Sequence, residues 1–265
     1  MLRFRFAAIL IGLSFSLISF GQRENVEKNL IKHVDYLTSP ELKGRKAGSE
    51  GERLAAEYLY GELEKCGVEM LTGKGGQDFY IVENGDSLLS RNIVGIVQGY
   101  DPELRNEYIV VGANLDNIGT HILNVNGSKQ LQIYPGADAN ASGVACLIEL
   151  AKKISSSSFM FRRSIVFVGF GAKEEGMAGS WYFINRAFQQ KNDISMMVDI
   201  NTVGRSGPSN AFTYYTCIPN PDITNAVNRV SNKLMFMMPQ MGSGRVPSSD
   251  YLAFYEQQIP VALFT

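Results

Sequence analysis

The chain has 265 residues, 45% hydrophobic and 19% charged, with 25 Lys and Arg against 26 Asp and Glu and a net charge of −1. This composition excludes disordered, collagenous and multi-span membrane classes and suits one domain with a large core. It also leaves no basic field for nucleic acid or anionic lipid, so neither is expected as a partner.

Arg3 and Arg5 precede an apolar stretch from Phe6 to Phe20, and Ser19-Phe20-Gly21 places small residues before a cleavage point at Gln22. Residues 1–21 therefore read as a signal peptide, and the chain as exported to a periplasmic or extracellular space. The stretch is shorter than the roughly 20 residues a membrane span needs, so no membrane association is expected after cleavage. In residues 22–265, Val26, Leu30, Val34 and Leu37 recur at helical spacing. A second helix starts at Ser49, with Glu52 completing a capping box, and ends at Cys66 before Gly67. Strands follow at Asn92–Gln98 and Tyr108–Ala113, a helix at Ser142–Ile154, a strand at Ser164–Gly171 and a helix from about Gly179. Met196–Asn201 and Ala211–Cys217 read as strands, Asp222–Leu234 and Ser249–Gln257 as helices, and Pro260–Thr265 as a last buried strand. Gly73–Gly76 and Pro239–Ser249 read as loops. The predicted fold is α/β, a three-layer α/β/α sandwich around a mixed, mostly parallel sheet.

Scarce residues limit the chemistry. The whole chain holds two histidines, His33 and His121, and three cysteines, Cys66, Cys146 and Cys217, so a zinc centre rich in His or Cys is hard to build. The cysteines form no C-x-x-C pair, and Cys146 lies in an apolar run that suggests a buried free thiol. His33 reads as a partly exposed packing residue of the first helix. G-x-S-x-G, H-E-x-x-H and G-x-x-x-x-G-K are all absent.

In α/β sheets, sites form where loops leave the carboxyl ends of strands. Four such segments carry distinctive text: Gly112-Ala113-Asn114-Leu115-Asp116, Gly136-Ala137-Asp138-Ala139-Asn140-Ala141-Ser142-Gly143, Lys173-Glu174-Glu175-Gly176-Met177-Ala178-Gly179-Ser180, and Asp199-Ile200-Asn201-Thr202-Val203-Gly204-Arg205. With the opening Tyr36-Leu37-Thr38-Ser39-Pro40-Glu41-Leu42-Lys43-Gly44-Arg45, they resemble the di-zinc aminopeptidase family. That family includes bacterial leucyl aminopeptidases, glutamate carboxypeptidase, glutaminyl cyclase and the non-catalytic transferrin receptor ectodomain, and the resemblance spans residues 25–265.

The resemblance implies two zinc ions held by two histidines and three carboxylates, one of them bridging, with a separate Glu as base for the attacking water. Matched position by position, the first histidine is Asn114, while Asp116, which would orient it, is kept. The bridging Asp is Ala139, preceded by Asp138. The base falls on Lys173 and the next ligand on Glu174; a one-residue slip would restore both types on Glu174 and Glu175. The third carboxylate is Asn201, with Asp199 one strand repeat back, about 6 to 7 Å away. The last histidine belongs to a loop that would follow Thr265, so the domain is expected to lack that loop and the family's closing helix.

Only Glu174 keeps its ligand type, so no bound cofactor is expected, and the leading expectation is a non-catalytic pseudo-peptidase or scaffold for a peptide or protein ligand. Lys173 could pair with Asp116 or Glu174. Asn114 and Asn201 could equally be strand-end residues that satisfy loop backbone. The alternatives are one weakly held zinc, conceivably on His121 with Asp116, or a true zinc exopeptidase with an atypical site or represented here by a fragment.

Overall fold

The computed structural model describes residues 25–205, 211–216, 221–231, 238–241 and 246–265. The leader at residues 1–21, Cys217 and the end of the helix expected to reach Leu234 lie outside them. Helix α1 covers residues 25–37. It is followed by α2 (Glu50–Lys65), α3 (Ser142–Ser155), α4 (Ala178–Tyr182), α5 (Pro221–Ser231) and α6 (Tyr251–Tyr255). The strands are β1 (Glu69–Met70), β2 (Gln77–Glu83), β3 (Asp86–Val97), β4 (Tyr108–Asn114), β5 (Thr120–Val125), β6 (Ser128–Ile133), β7 (Ser164–Phe170), β8 (Ile194–Ile200), β9 (Ala211–Thr216), β10 (Met238–Met241) and β11 (Val261–Phe264).

The main sheet runs β1-β3-β7-β4-β8-β11-β9-β10, with β2 added on β3. Its four central strands, β7, β4, β8 and β11, are mutually parallel, and β3 joins them antiparallel. Such central strands must be apolar on both faces. Accordingly, every residue of β7 (Ser-Ile-Val-Phe-Val-Gly-Phe) is buried. Alternate residues sort to two cores. Val111, Ala113, Ile165, Phe167 and Ile200 pack with α2 and α3 through Leu59, Leu63 and Leu147. Val110, Val166, Val168, Met197 and Leu263 pack on the other side against Phe183, Ile184, Phe188 and Phe254. The result is the expected sandwich, with the carboxyl ends of β4, β7 and β8 gathered at one rim.

Several details differ from the sequence reading. Pro239–Met241, expected in a loop, belong to β10, which pairs in parallel with β9. Two hairpins went unpredicted. β2 pairs with an extension of β3, and β5 pairs with β6 as a separate two-stranded sheet that keeps Ile122, Leu123, Val125 and Leu131 exposed. With neither face buried, that hairpin has no hydrophobic alternation to announce it. His33 is buried rather than partly exposed; its Nδ1 lies 2.7 Å from the Tyr58 hydroxyl and its Nε2 3.5 Å from Glu149. Burial lowers its pKa despite the neighbouring carboxylates. Cys146 is a free thiol but only half-buried.

Candidate functional site

Chain order brings the ends of β4 and β7 together through one carboxylate. Asp116 is fully buried just past β4; its Oδ1 accepts from the Lys173 amide and its Oδ2 from the Glu174 amide, each at 2.9 Å. Burial pushes its pKa up to about 6; the two amides pull it down, and the Glu174 charge pushes it up again. Asn114 folds back, Nδ2 donating to the Asp116 carbonyl at 2.8 Å, which leaves its buried Oδ1 without a partner. The amide thus serves the loop backbone.

The turn after β7 is held just as firmly. Gly171 donates to Asn92 Oδ1 at 3.1 Å, and Asn92 Nδ2 donates to the Gly179 carbonyl at 2.9 Å. No side chain is tolerated in this approach, since a Cβ on Gly179 would lie 2.3 Å from the Gly171 carbonyl oxygen. Ala172 adopts a positive φ of 54° and donates to Glu52 Oε1 at 3.0 Å. Glu52 is the expected capping residue of α2, yet it reaches past the cap to Gly48 (2.7 Å) and also accepts from the Ser90 hydroxyl (2.8 Å). Burial raises its pKa to about 7, with the Asp116 charge adding to this and the hydrogen bonds opposing it.

Arg45 locks the opposite wall. Its guanidinium is buried and donates to the carbonyls of Leu37, Leu115 (2.9 Å), Pro135 (2.8 Å) and Gly136 (3.0 Å). Burial lowers its pKa to about 10, while the Asp116 charge supports the cation. The sequence displayed Gly44-Arg45 as part of a motif but gave no sign that the side chain ties α1, the β4 loop and the segment before α3 together.

At the end of β8, Asn201 donates from Nδ2 to the Ser249 hydroxyl at 3.1 Å, another structural bond. Asp199 lies fully buried beneath it, accepting from the Tyr251 amide at 3.1 Å and leaving Oδ1 unpartnered. Beside it sits Asp250, which the sequence reading missed. Neither of its buried oxygens has a partner in hydrogen-bond geometry, although the Ser180 hydroxyl, which donates to the Met177 carbonyl at 3.0 Å, lies near enough to pull its pKa down. Burial raises both carboxyls, Asp199 to about 6 and Asp250 further through the charge of Asp199.

The expected site residues thus divide. Asn114, Asp116, Lys173 and Glu174 form one hydrogen-bonded group. Asn201 joins a second group with Ser249, and Ala139 projects a bare methyl into a cleft of about 590 Å³ lined by Val34, Asp138, Ser142 and Arg205. Glu174 and Glu175 line a different cleft of about 330 Å³ with Lys46, Glu83 and His121. His121 is exposed on β5, whereas both oxygens of Asp116 are engaged below, so the two form no metal pair. Among the described residues, no three His, Cys, Asp or Glu side chains converge as metal ligands. Amide oxygens, which are feeble zinc ligands, together with a methyl group and an ammonium do not fit a dinuclear zinc centre.

Lys173 Nζ meets Glu174 Oε1 at 2.8 Å. Burial works against the ammonium, but the bond to Glu174 and the charges of Glu174, Asp116 and Asp250 outweigh it and hold the pKa above its ordinary value. A protonated lysine cannot take a proton from water, so the residue where a base is expected is no base at neutral pH.

The chain matches the profile described as Peptidase family M28 over residues 92–265. It is 25% identical over 199 residues to a probable zinc metalloprotease of Pyrenophora tritici-repentis, covering 72% of this chain and 43% of that protein. It is 24% identical over 224 residues to leupeptin-inactivating enzyme 1 of Streptomyces exfoliatus, covering 82% of this chain and 43% of that enzyme. The chain spans about two fifths of the length of these curated relatives. Among solved structures, it superposes on a zinc aminopeptidase of Bacillus subtilis with a TM-score of 0.70 and 15% identity, covering 89% of this chain and 84% of that one.

Proposed function

The chain belongs to peptidase family M28, and we propose that it serves there as an exported, non-hydrolytic scaffold that holds a peptide or protein ligand in the family's cleft. Lys173 carries this reading, because an ammonium paired with Glu174 occupies the place from which a carboxylate would activate water. The replacement of family ligand positions by Asn114, Ala139 and Asn201 supports it. Export rests on the leader-like text of residues 1–21. No helix among the described residues is long and apolar enough to cross a membrane.

A second reading, a zinc-dependent exopeptidase with an atypical site, is favoured by the names of the relatives and by the fraction of their length that this chain spans. Turnover of aminoacyl p-nitroanilides with added zinc separates the two. The scaffold reading predicts no cleavage above the rate of a heat-denatured control, together with saturable binding of peptides in calorimetric titration. Zinc-dependent, chelator-sensitive cleavage would establish the exopeptidase instead.

A further inference from the structure

The β5–β6 hairpin stands apart from both cores. Every residue from 121 to 132 is exposed, the two strands pair with each other and with no third among the described residues, and their register runs without a bulge. Asn126 and Gly127, both at positive φ (50° and 81°), close it in a type I′ turn. A lone two-stranded hairpin is marginal in water, and independent stability takes three strands or more with an apolar face. Apolar side chains are present on both faces: Ile122 (68% exposed) lies across from Leu131 (65%) on one, and Leu123 and Val125 lie on the other.

Register decides which backbone groups are free. In an antiparallel pair, residues alternate between exchanging hydrogen bonds with the partner strand and turning those groups outward. The Tyr134 amide donates to the Gly119 carbonyl at 2.9 Å, so the bonded pairs continue as His121–Gln132, Leu123–Gln130 and Val125–Ser128. Thr120, Ile122 and Asn124 then present their amides and carbonyls along the open edge of β5. Edge strands are ordinarily blunted by charge, proline or a bulge, yet Thr-His-Ile-Leu-Asn-Val contains no Lys, Arg, Asp, Glu or Pro. Strands β6 and β2 are guarded by comparison. β6 carries Lys129, and β2, which also exposes Tyr80 and Val82, carries Asp78 and Glu83 in ion pairs with Arg91 and Lys46.

We propose that β5 is a dimerisation edge: two copies of the chain join β5 to β5 antiparallel about a two-fold axis at Ile122, making one four-stranded sheet. In that register the outward groups of Ile122 meet those of the partner's Ile122, and the groups of Thr120 meet those of the partner's Asn124. Leu131, Ile122, the partner's Ile122 and the partner's Leu131 then form one apolar row on a single face, the self-complementary pattern that a two-fold interface requires. With β5 uncharged, no like charges oppose each other across the axis. Thr120 and His121 also line the 330 Å³ cleft that holds Glu174 and Glu175, so the partner's Asn124 and the partner's Leu123 fall at its mouth. One strand pair buries less than about 1,200 Å² in total, the small end for specific complexes, so the dimer forms and dissociates with concentration. The pairing is independent of whether zinc binds.

Sedimentation velocity of the intact chain from micromolar to near-millimolar concentration tests this, with hydrogen exchange read at both ends of the range. A monomer–dimer equilibrium is expected, in which the amides of Thr120, Ile122 and Asn124 exchange freely when dilute and about tenfold more slowly when concentrated. Ile122→Lys sets two ammonium groups opposite each other on the axis. It should weaken dimerisation by about tenfold and leave the melting temperature unchanged, because the side chain is exposed. Ile122→Glu should do the same, and an equimolar mixture of the two variants should regain the dimer through opposite charges. Val82→Lys, on the exposed face of β2, should associate as the wild type does. A chain monomeric at every concentration would overturn the inference and leave the edge to an unrelated protein. So would a dimer indifferent to Ile122→Lys, a mixture that does not recover, or growth beyond the dimer, which would mean that another edge joins.

Discussion

Glu52 is a residue with two jobs, and its chemistry makes one of them measurable. It tethers the turn that carries Lys173 and Glu174, yet burial raises its pKa to about 7 from an ordinary 4.5. Asp116 and Asp199 are likewise raised to about 6 from 3.8. A carboxyl whose folded pKa exceeds its unfolded one binds more protons in the native state, so its contribution is present at acid pH and lost as pH rises through the folded value. The melting temperature should therefore fall between about pH 4 and pH 7, and Glu52→Gln should flatten the upper part of that fall. Asp101 and Glu50 are instead held below their ordinary values by hydrogen bonds to Arg162 and Arg53. A flat or rising profile would show that these groups are solvated. Asp116→Asn belongs to the same scale. It leaves one backbone amide facing an NH₂ group, and should cost about 2 to 4 kcal/mol in denaturant unfolding, as expected when a charge-assisted bond is replaced by an unsatisfied buried donor.

Among the elements, the turn from Gly171 to Gly179 depends on close backbone approach rather than on side-chain packing. Gly179→Ala would drive a methyl against the Gly171 carbonyl and Asn92. It should destabilise by about 2 to 3 kcal/mol, the usual range for overpacking, and shift the spectroscopic signals of Lys173 and Glu174. The β5–β6 hairpin represents the opposite case. It pairs only with itself and has apolar side chains exposed, and an isolated hairpin is marginal in water. Its amides should exchange with solvent orders of magnitude faster than those of β4 and β7. Protection of β5 equal to that of β7 would mean that a partner covers it.

Across the whole molecule, what could be read in advance depended on where each signal resides. The central strands and the capped helix α2 declare themselves locally, through continuous apolar runs and the Ser49–Glu52 spacing, and the structure bears them out. The motif text also located Asn114, Asp116, Lys173 and Glu174, which the fold joins through three amide hydrogen bonds and one ion pair. Asp250 and Arg45 were opaque because their roles arise only in three dimensions. One is an ordinary acid before a short helix until Asp199 is packed against it. The other is an ordinary motif arginine until the carbonyls of Leu37, Leu115, Pro135 and Gly136 converge on it. The β5–β6 hairpin was missed because it buries neither face, whereas β2 alternates with Phe79 and Ile81 buried before the Asn84-Gly85 turn, a signal the sequence reading passed over.

With Asn114, Ala139, Lys173 and Asn201 at the positions where the family resemblance places ligands and a base, the proposed scaffold holds no pair of zinc ions in its cleft. Metal analysis of the purified protein, equilibrated with excess zinc and then desalted, tests it most directly. Zinc content far below one ion per chain is expected, with no rise in melting temperature on zinc addition. Close to two ions per chain, bound tightly enough to survive desalting, would contradict it.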